Sequence, residues 1–443
     1  MSNPTEYQVV VIGAGPSGAV AAAHLKQQGI SVLIIERETF PRFSIGESLL
    51  PHCMSFLDEA GMLDAITSAG FQRKDGAAFC RDGQYVTFDF EQKSATGPAS
   101  TFQVKRAVFD DILARQAEKM GVEIRYQHSV KGIKIEADYT LLEVEDDTGQ
   151  LQTIQCQFVL DASGFGRVLP RLLDLETPSD FPVRKAVFTH YQDGIAAEDP
   201  FLHNGTCFDR NKILIVPHEQ HHDIWLWIIP FSDATTSIGV VAEQKYYDAL
   251  ADLSLNETLD HFIDTDPALC RLLKNRQRCQ NAREITGYSA NVKSLFGERF
   301  ALLGNAGEFL DPVFSSGVTI ALKSANLCAP LVVRSLKGES VDWEQEYAIP
   351  LRQGINAFRT YVEAWYQGGL QTVFFHPSPD PKIKAMICSI LAGYAWDCSN
   401  PFALKSDRYL GNLIELCTPE QPLPASASCS PQTESLTHIE AKS

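Results

Sequence analysis

The chain has 443 residues, more than a single hydrophobic core usually holds, so we expect two or three packed units. Its net charge of −17 disfavours nucleic acid as a partner, because an acidic surface repels phosphate backbones. The eleven cysteines form no C-x-x-C pair and have no ligand-like spacing to histidine, which predicts reduced thiols in the cytoplasm and no metal site. The polar first residues predict no signal peptide, and without an apolar run of about 20 residues we expect no membrane span.

The first elements in chain order form a βαβ unit. An apolar run over residues 9–12 predicts a buried strand, residues 19–28 predict a helix, and residues 31–35 predict a second strand. The stretch G-A-G-P-S-G, residues 13–18, lies between the first strand and the helix, and Glu36 ends the second strand. In this context the G-x-G-x-x-G pattern is typical of a dinucleotide-binding turn, although an ordinary glycine turn is the alternative.

The turn residues have separate roles in that interpretation. Gly13 permits a tight turn, Gly15 lets the backbone approach a pyrophosphate, and Gly18 allows the helix to pack close to the strand. The helix N-terminus supplies free N–H groups, and Glu36 can accept hydrogen bonds from ribose hydroxyls. The cofactor-binding residues predicted here are Gly13, Ala14, Gly15, Ser17, Gly18, Glu36 and Arg37.

The rest of the chain changes character along its length. Alternating strands from about residue 181 to 243 predict an antiparallel sheet over the substrate. Further predicted elements are helices at 46–60, 107–120 and from about 316, and strands at 122–126, 141–144, 158–160, 212–216, 224–229 and 300–303. The predicted domains are a cofactor domain at 1–175 plus 280–338, a sheet domain at 176–279, a helical region at 339–417 and a disordered tail at 418–443.

Two later segments resemble those of a known superfamily. The stretch R-F-A-L-L-G-N-A-G-E-F-L-D-P-V-F-S-S-G-V, residues 299–318, resembles the flavin-binding segment of para-hydroxybenzoate hydroxylase-like FAD enzymes. D-A-S-G at 161–164 matches a mid-chain element of the same superfamily. The resemblance implies an α/β fold with a Rossmann-type FAD-binding domain, an antiparallel-sheet substrate domain and a helical C-terminal region. No second G-x-G-x-x-G is present, so reduced FAD is expected to come from a separate flavin reductase.

The stretch W-L-W-I-I-P, residues 225–230, narrows the family. Tryptophans two residues apart in a strand point to the same face, and two core aromatics on a sheet are the ordinary explanation. Within this flavin superfamily, however, W-x-W-x-I-P is the motif of flavin-dependent halogenases, and Trp225, Trp227, Ile229 and Pro230 match every fixed position. The chain therefore resembles that family over roughly residues 9–402.

The halogenase resemblance implies a set of site residues. Lys74, in F-Q-R-K-D-G, matches the family's reactive lysine, and backbone N–H groups of Ser316 and Gly317 match its halide site. We interpret Trp225 and Trp227 as a wall between flavin and substrate, and a structural anchor of the sheet is the alternative. Arg106 begins a helix expected to lie along FAD, with a surface salt bridge as the alternative. The cofactor-binding residues that it adds are Glu47, Ser48, Arg106, Asp311 and Val318.

The resemblance also implies a reaction. Reduced FAD, O₂ and chloride or bromide would yield hypohalous acid, which Lys74 would hold against a pyrrole or phenol in natural-product biosynthesis. Phe314 replaces the glutamate of the tryptophan-specific branch, so free tryptophan is not the expected substrate. The substrate can be free or carried on an acyl or peptidyl carrier protein. The basic run at Arg271, Lys274, Arg276 and Arg278 is one docking candidate for that carrier, although a solvated basic helix end is the more ordinary explanation. An FAD monooxygenase or reductase that uses no halide is the alternative function.

Overall fold

The computed structural model describes residues 5–418, so the predicted disordered tail lies outside the described residues except for Thr418. Within that range the strands are β1 (Thr5–Ile12), β2 (Val32–Ile35), β3 (Gln72–Lys74), β4 (Gly76–Arg81), β5 (Gln84–Asp89), β6 (Thr101–Gln103), β7 (Glu123–Arg125), β8 (Ser129–Ile135), β9 (Thr140–Glu145), β10 (Leu151–Asp161), β11 (Glu176–Thr177), β12 (Arg184–Gln192), β13 (Lys212–Pro217), β14 (Trp225–Pro230), β15 (Thr235–Glu243), β16 (Gln277–Arg278), β17 (Arg283–Thr286), β18 (Asn291–Val292), β19 (Phe296–Gly297) and β20 (Phe300–Leu302).

The helices share the chain with these strands and dominate its last third. They are α1 (Pro16–Gln27), α2 (His52–Glu59), α3 (Leu63–Thr67), α4 (Arg106–Lys119), α5 (Val168–Leu172), α6 (Gln244–Asp248), α7 (Leu255–Thr265), α8 (Pro267–Leu272), α9 (Ser316–Leu336), α10 (Ile349–Tyr366), α11 (Gly369–Phe374), α12 (Pro381–Leu391), α13 (Pro401–Leu404) and α14 (Ser406–Cys417).

The first sheet carries the predicted βαβ unit. Its path is β19-β20-β10-β1-β2-β7, with β8 and β9 joined to β10, and the neighbours from β20 to β7 run parallel. The strand β1 is apolar on both faces, as a covered parallel strand requires. Val9 and Val11 pack in the same core as α1, whereas Val10 and Ile12 pack with the β8–β9 hairpin. The sheet therefore places the glycine turn at the carboxyl end of a buried central strand.

The second sheet is antiparallel apart from one pair. Its order is β16-β12-β15-β14-β13-β4-β5, and only β13 and β4 pair in parallel among its described strands. Trp227 lies opposite Gly239 in this sheet. A Cβ at Gly239 would lie 2.3 Å from Trp227 Cζ2, so glycine leaves the room that the indole fills. The two tryptophans share one core, whereas Leu226 and Ile228 point into the other.

Three local expectations meet a different arrangement. The helix predicted at 46–60 begins only at His52, because the backbone of Ser48 bridges to Gln103 and Leu49 N–H donates to the carbonyl of Phe102. Helices α6 to α8 lie within the predicted sheet domain, after β15 ends at Glu243 as predicted. Strands β4, β5 and β17 pair within the second sheet, although their residues fall in the predicted cofactor domain. The division into domains stays a prediction.

Helix α9 is the one element among the described residues that is long and apolar enough to cross a membrane by length and composition. Two thirds of its apolar window, 67%, is buried inside the protein. It packs against α1, α2 and α10. These contacts are those of a core helix.

Candidate active site

A cavity of about 610 Å³ lies between the two sheets and is lined by residues of both. Twelve of the predicted site residues line it: Gly13, Gly15, Ser17, Glu36, Arg37, Glu47, Ser48, Arg106, Gly317, Val318, Trp225 and Trp227. Five predicted residues do not line it: Ala14, Gly18, Asp311, Ser316 and Lys74. The structure thus gathers most of the predicted residues, which lie up to 305 positions apart in the sequence, around one space.

The glycine turn forms one end of this cavity. Gly13 has a φ of +97°, and a Cβ there would lie 2.7 Å from the carbonyl oxygen of Ala162. A Cβ at Gly18 would lie 2.0 Å from the carbonyl oxygen of Gly13, so the helix can approach the turn only without a side chain. Among the described side chains none caps the start of α1, whose first N–H groups are therefore available to a phosphate.

Glu36 is oriented by the backbone on both sides of it. Its carboxylate accepts hydrogen bonds from Ala14 N–H at 2.8 Å and from Glu38 N–H at 2.9 Å. Ala14 therefore acts by holding this carboxylate. Arg42, which the sequence analysis did not single out, lies 3.9 Å from Glu36 and 3.5 Å from Asp110 and lines the cavity.

A strap of residues 44–48 forms the next part of the wall. The Arg106 guanidinium donates to the carbonyl oxygen of Ile45 and pairs with Asp110 at 2.7 Å. The salt bridge of Arg106 is therefore buried and not at the surface, and because Arg106 also lines the cavity, its contact with FAD stays a prediction. Glu47 is hydrogen bonded to His190 Nε2 at 2.8 Å. Ser48 Oγ is buried with no partner in the described part of the chain.

These features fit FAD. The turn and the uncapped N-terminus of α1 suit a pyrophosphate, and a Cβ at Gly15 would meet only the Arg42 guanidinium, at 3.5 Å, so the backbone there is open to a ligand. The Ser48 hydroxyl offers a hydrogen bond to a bound group. Asn305 and Ser163 complete the lining. Asn305 was missed, and its position after the strand β20 in G-N-A-G was the signal that could have found it.

The predicted halide site lies at the start of α9. Ser316 is the first residue of the helix, and Ser315, which precedes it, has a φ of +55° and no side-chain hydrogen bond to the helix among the described residues. The first N–H groups of a helix have no partner within it and lie at its positive end, which is where an anion binds best. Gly317 faces the cavity, while the side chain of Ser316 is buried.

Asp311 does not line the cavity and instead anchors the loop before α9. Its carboxylate accepts from Tyr366 Oη at 2.8 Å, from Tyr288 Oη at 3.2 Å and from Val313 N–H at 3.0 Å. Burial raises the pKa of Asp311, and the nearby Arg184 guanidinium opposes that rise. The residue expected to touch the cofactor therefore lies in a buried network behind the loop, and its role as a ligand stays a prediction.

The two tryptophans line the cavity side by side, with ring centroids 5.8 Å apart. Trp225 Nε1 donates to Tyr366 Oη at 2.9 Å, which connects it through that hydroxyl to Asp311. Trp227 Nε1 donates to Ser237 Oγ at 3.1 Å. Both indoles are therefore held in one orientation at the cavity wall and attached to the sheet or to the loop before α9.

Lys74 ends β3 and is only 1% exposed. Its Nζ donates to the carbonyl oxygen of Leu49 at 2.8 Å and lies 5.6 Å from the centre of the Phe90 ring. Burial lowers the pKa of Lys74 to about 7. The neighbouring Cys53 has its Sγ 3.2 Å from Thr319 Oγ1, in the first turn of α9. The amine thus lies near the predicted halide site without opening into the cavity.

Three of the four basic side chains in the run proposed for docking form salt bridges. Arg276 pairs with Asp260 and Asp264, and Arg278 pairs with Asp260. Lys274 pairs with Asp199, and Arg271 donates to a backbone carbonyl. Within residues 5–418 there is also no group of three His, Cys, Asp or Glu residues that could hold a metal ion.

Comparison with known proteins agrees with this architecture. The family described as FAD binding domain matches residues 6–284. A flavoprotein/dehydrogenase from Cytophaga hutchinsonii is 41% identical, with a TM-score of 0.87 over 93% of this chain and 98% of that one. A 1H-pyrrole-2-carbonyl-[peptidyl-carrier protein] chlorinase from Pseudomonas fluorescens is 27% identical over 88% of this chain and 89% of that protein.

A flavin-dependent brominase, Bmp2, has a similar structure. It is 26% identical, with a TM-score of 0.76 over 93% of this chain and 99% of that one. The predicted fold class, enzyme class and FAD cofactor are confirmed by these relatives together with the family match. The chain belongs to the flavin-dependent halogenase family of FAD-binding oxidoreductases.

Proposed function

We propose that this enzyme halogenates an electron-rich aromatic ring, using reduced FAD, O₂ and chloride or bromide. One observation carries the proposal: the first turn of α9 connects the cofactor cavity to the buried lysine. Gly317 lines the cavity, and Thr319, two residues later, contacts Cys53 beside the amine of Lys74. The helix turn proposed to bind halide is therefore joined to the surroundings of that amine through the Cys53–Thr319 contact.

The residues divide the work as follows. FAD would be held by the glycine turn and Glu36, and in its reduced form it would donate two electrons to O₂, which would take the other two electrons from halide to give hypohalous acid and water. Backbone N–H groups of Ser316 and Gly317 hold the halide at the positive end of α9. Trp225 and Trp227 separate the cofactor from the aromatic substrate, because two rigid indoles exclude it from that side of the cavity.

Lys74 receives the hypohalous acid. With a pKa of about 7, its amine is about half neutral at pH 7. The ammonium form donates to the hypohalous oxygen and makes the halogen more electrophilic, while the neutral form can bind the halogen directly. A lysine at its ordinary pKa would be charged almost entirely, so burial makes both forms available at neutral pH.

The substrate is proposed to be a pyrrole or phenol, carried as an acyl group on a carrier protein. The support is the Pseudomonas fluorescens relative, whose name gives a pyrrole-2-carbonyl group on a peptidyl carrier protein. The run from Arg271 to Arg278 does not support docking of an acidic carrier, because carboxylates pair with three of its four charges. We also propose that a flavin reductase is a transient partner of the enzyme and that the enzyme is located in the cytoplasm.

A second candidate is oxidation without halide. Two observations favour it: Lys74 is enclosed by the Leu49 carbonyl and the Phe90 ring, and the relative at 41% identity is called a flavoprotein/dehydrogenase. The test incubates the protein with FAD, a flavin reductase, NADH and either halide, over free and carrier-bound pyrroles and phenols. Mass spectrometry of a halogenated product, absent when halide is omitted, is the expected result. Oxidised or hydroxylated product that is independent of halide would establish the second candidate instead.

A further inference from the structure

Two buried hydrogen-bond donors on α10 have no partner within the described part of the chain. They are Tyr361 Oη and Trp365 Nε1, four residues apart on the same helix face, and both side chains are 0% exposed. Native proteins pair the great majority of such groups, so an unpaired pair at one place calls for an explanation. Nearby buried tyrosines are paired: Tyr366 donates to Asp311, and Tyr347 donates to the carbonyl oxygen of Leu302 at 2.6 Å.

The ring of Phe314 lies in the corner between the two donors. It is perpendicular to the ring of Tyr361 at 6.3 Å and to that of Trp365 at 5.9 Å. The ring of Phe79 lies 5.8 Å from Trp365 and 4.7 Å from Phe374. The two donors therefore belong to a buried cluster of closely packed aromatic rings, hereafter the aromatic box, made of Phe79, Phe314, Tyr361, Trp365 and Phe374.

The aromatic box lies between the two reactive elements of the proposed mechanism. Phe314 directly precedes Ser315, the N-cap residue of α9. On the other side, Phe88 packs against Phe79, and Phe90, two residues later in the chain, lies against the amine of Lys74. A ring held in the aromatic box would therefore be close both to the source of the oxidant and to the lysine.

We propose that the aromatic box binds the ring of an aromatic acyl substrate, whose carbonyl oxygen accepts hydrogen bonds from Tyr361 Oη–H and Trp365 Nε1–H. This inference rests on the proposed function and specifies its substrate. A carbonyl oxygen has two lone pairs and can accept both bonds. Both donors are neutral, so they suit an ester, thioester or amide better than a carboxylate, whose charge would be costly to bury here. The Phe314 ring packs against both Tyr361 and Trp365 and must change its rotamer when the substrate binds.

The test compares Tyr361→Phe with Tyr347→Phe, the same change at a buried tyrosine that has a partner. Binding to the oxidised FAD enzyme is measured by equilibrium dialysis for two probes, the N-acetylcysteamine thioester of pyrrole-2-carboxylate and 2-methylpyrrole, which lacks the carbonyl. Tyr361→Phe should weaken thioester binding about tenfold, leave 2-methylpyrrole unchanged and not lower the melting temperature, because no internal hydrogen bond is lost. Tyr347→Phe should lower the melting temperature and bind both probes like the wild type. Trp365→Phe should repeat the thioester effect.

The outcomes distinguish a failure of the aromatic box from a failure of the proposed halogenase function. Wild-type affinity of Tyr361→Phe for the thioester, or failure of the wild type to bind it, overturns the inference. A melting temperature lowered as much as in Tyr347→Phe, with unchanged thioester binding, would assign the hydroxyl to a buried water. Tyr361-dependent binding without halogenation by the wild type would support the aromatic box and refute the halogenase assignment. Halogenation of the thioester by the wild type and equally by Tyr361→Phe would refute the aromatic box alone.

Discussion

Replacing Lys74 with methionine removes the cost of burying its amine, and that cost depends on pH. Burial lowers the pKa of Lys74 from 10.5 to about 7. Between these two values the unfolded chain binds more protons than the folded chain, so this lysine makes stability rise with pH. At 1.36 kcal/mol per pKa unit, the folded protein is destabilised by about 4 kcal/mol at pH 7 and by only about 1 kcal/mol at pH 10. Below pH 7 the cost stays constant.

The assay is urea unfolding of the wild type and Lys74→Met at pH 7 and pH 10. The free energy of unfolding of the wild type, minus that of the variant, should increase by about 3 kcal/mol between the two pH values. Other titrating groups are common to both proteins and cancel. Cys53 is the exception, because it lies close to the amine and burial raises the pKa of its thiol. Both proteins are therefore compared in a Cys53→Ala background.

Lys212→Met is the matched control. Lys212 is also buried, but its amine pairs with Asp75, Asp89 and Asp209 at 2.9 to 3.1 Å, and these carboxylates raise its pKa. Removing it should destabilise the protein by nearly the same amount at both pH values. If Lys74→Met showed the same constant difference, the amine would not be held at a lowered pKa, and its proposed double role at neutral pH would be refuted.

Three further changes test the site. Gly13→Ala should abolish retention of FAD, because the positive φ of Gly13 disfavours a side chain and a Cβ would clash with the backbone of Ala162. Flavin absorbance after gel filtration measures the retained FAD, and full retention would contradict the turn geometry. Gly317→Ala should raise the KM for bromide several-fold at unchanged FAD content, because a Cβ there would lie 3.0 Å from the Phe309 ring. Gly411→Ala is the control and should leave this KM unchanged, because no atom lies within 4 Å of its Cβ position. Trp225→Phe removes the hydrogen-bond donor to Tyr366 and should increase the hydrogen peroxide released per reduced FAD oxidised. A lower melting temperature with no increase in released peroxide would show that the indole only anchors the sheet.

Local sequence determined the parts of this protein that depend on neighbours along the chain. The βαβ unit follows from the apolar run at residues 9–12 and the glycines after it, because a strand covered on both faces and a turn of positive φ leave little choice of residue. The shared face of Trp225 and Trp227 follows from the two-residue period of a strand. The same period cannot say which face meets the cofactor.

Only the tertiary structure decided which distant groups meet. Lys74 reads as a surface charge by composition, and its burial arises because the Leu49 carbonyl and the Phe90 ring close over it. The basic run near Arg276 is a docking candidate by sequence, yet Asp260 and Asp264 on the neighbouring helix α7 pair with Arg276. The pKa of a charged side chain and its availability for binding depend on partners that folding brings together. The spacing of residues along the chain does not identify those partners.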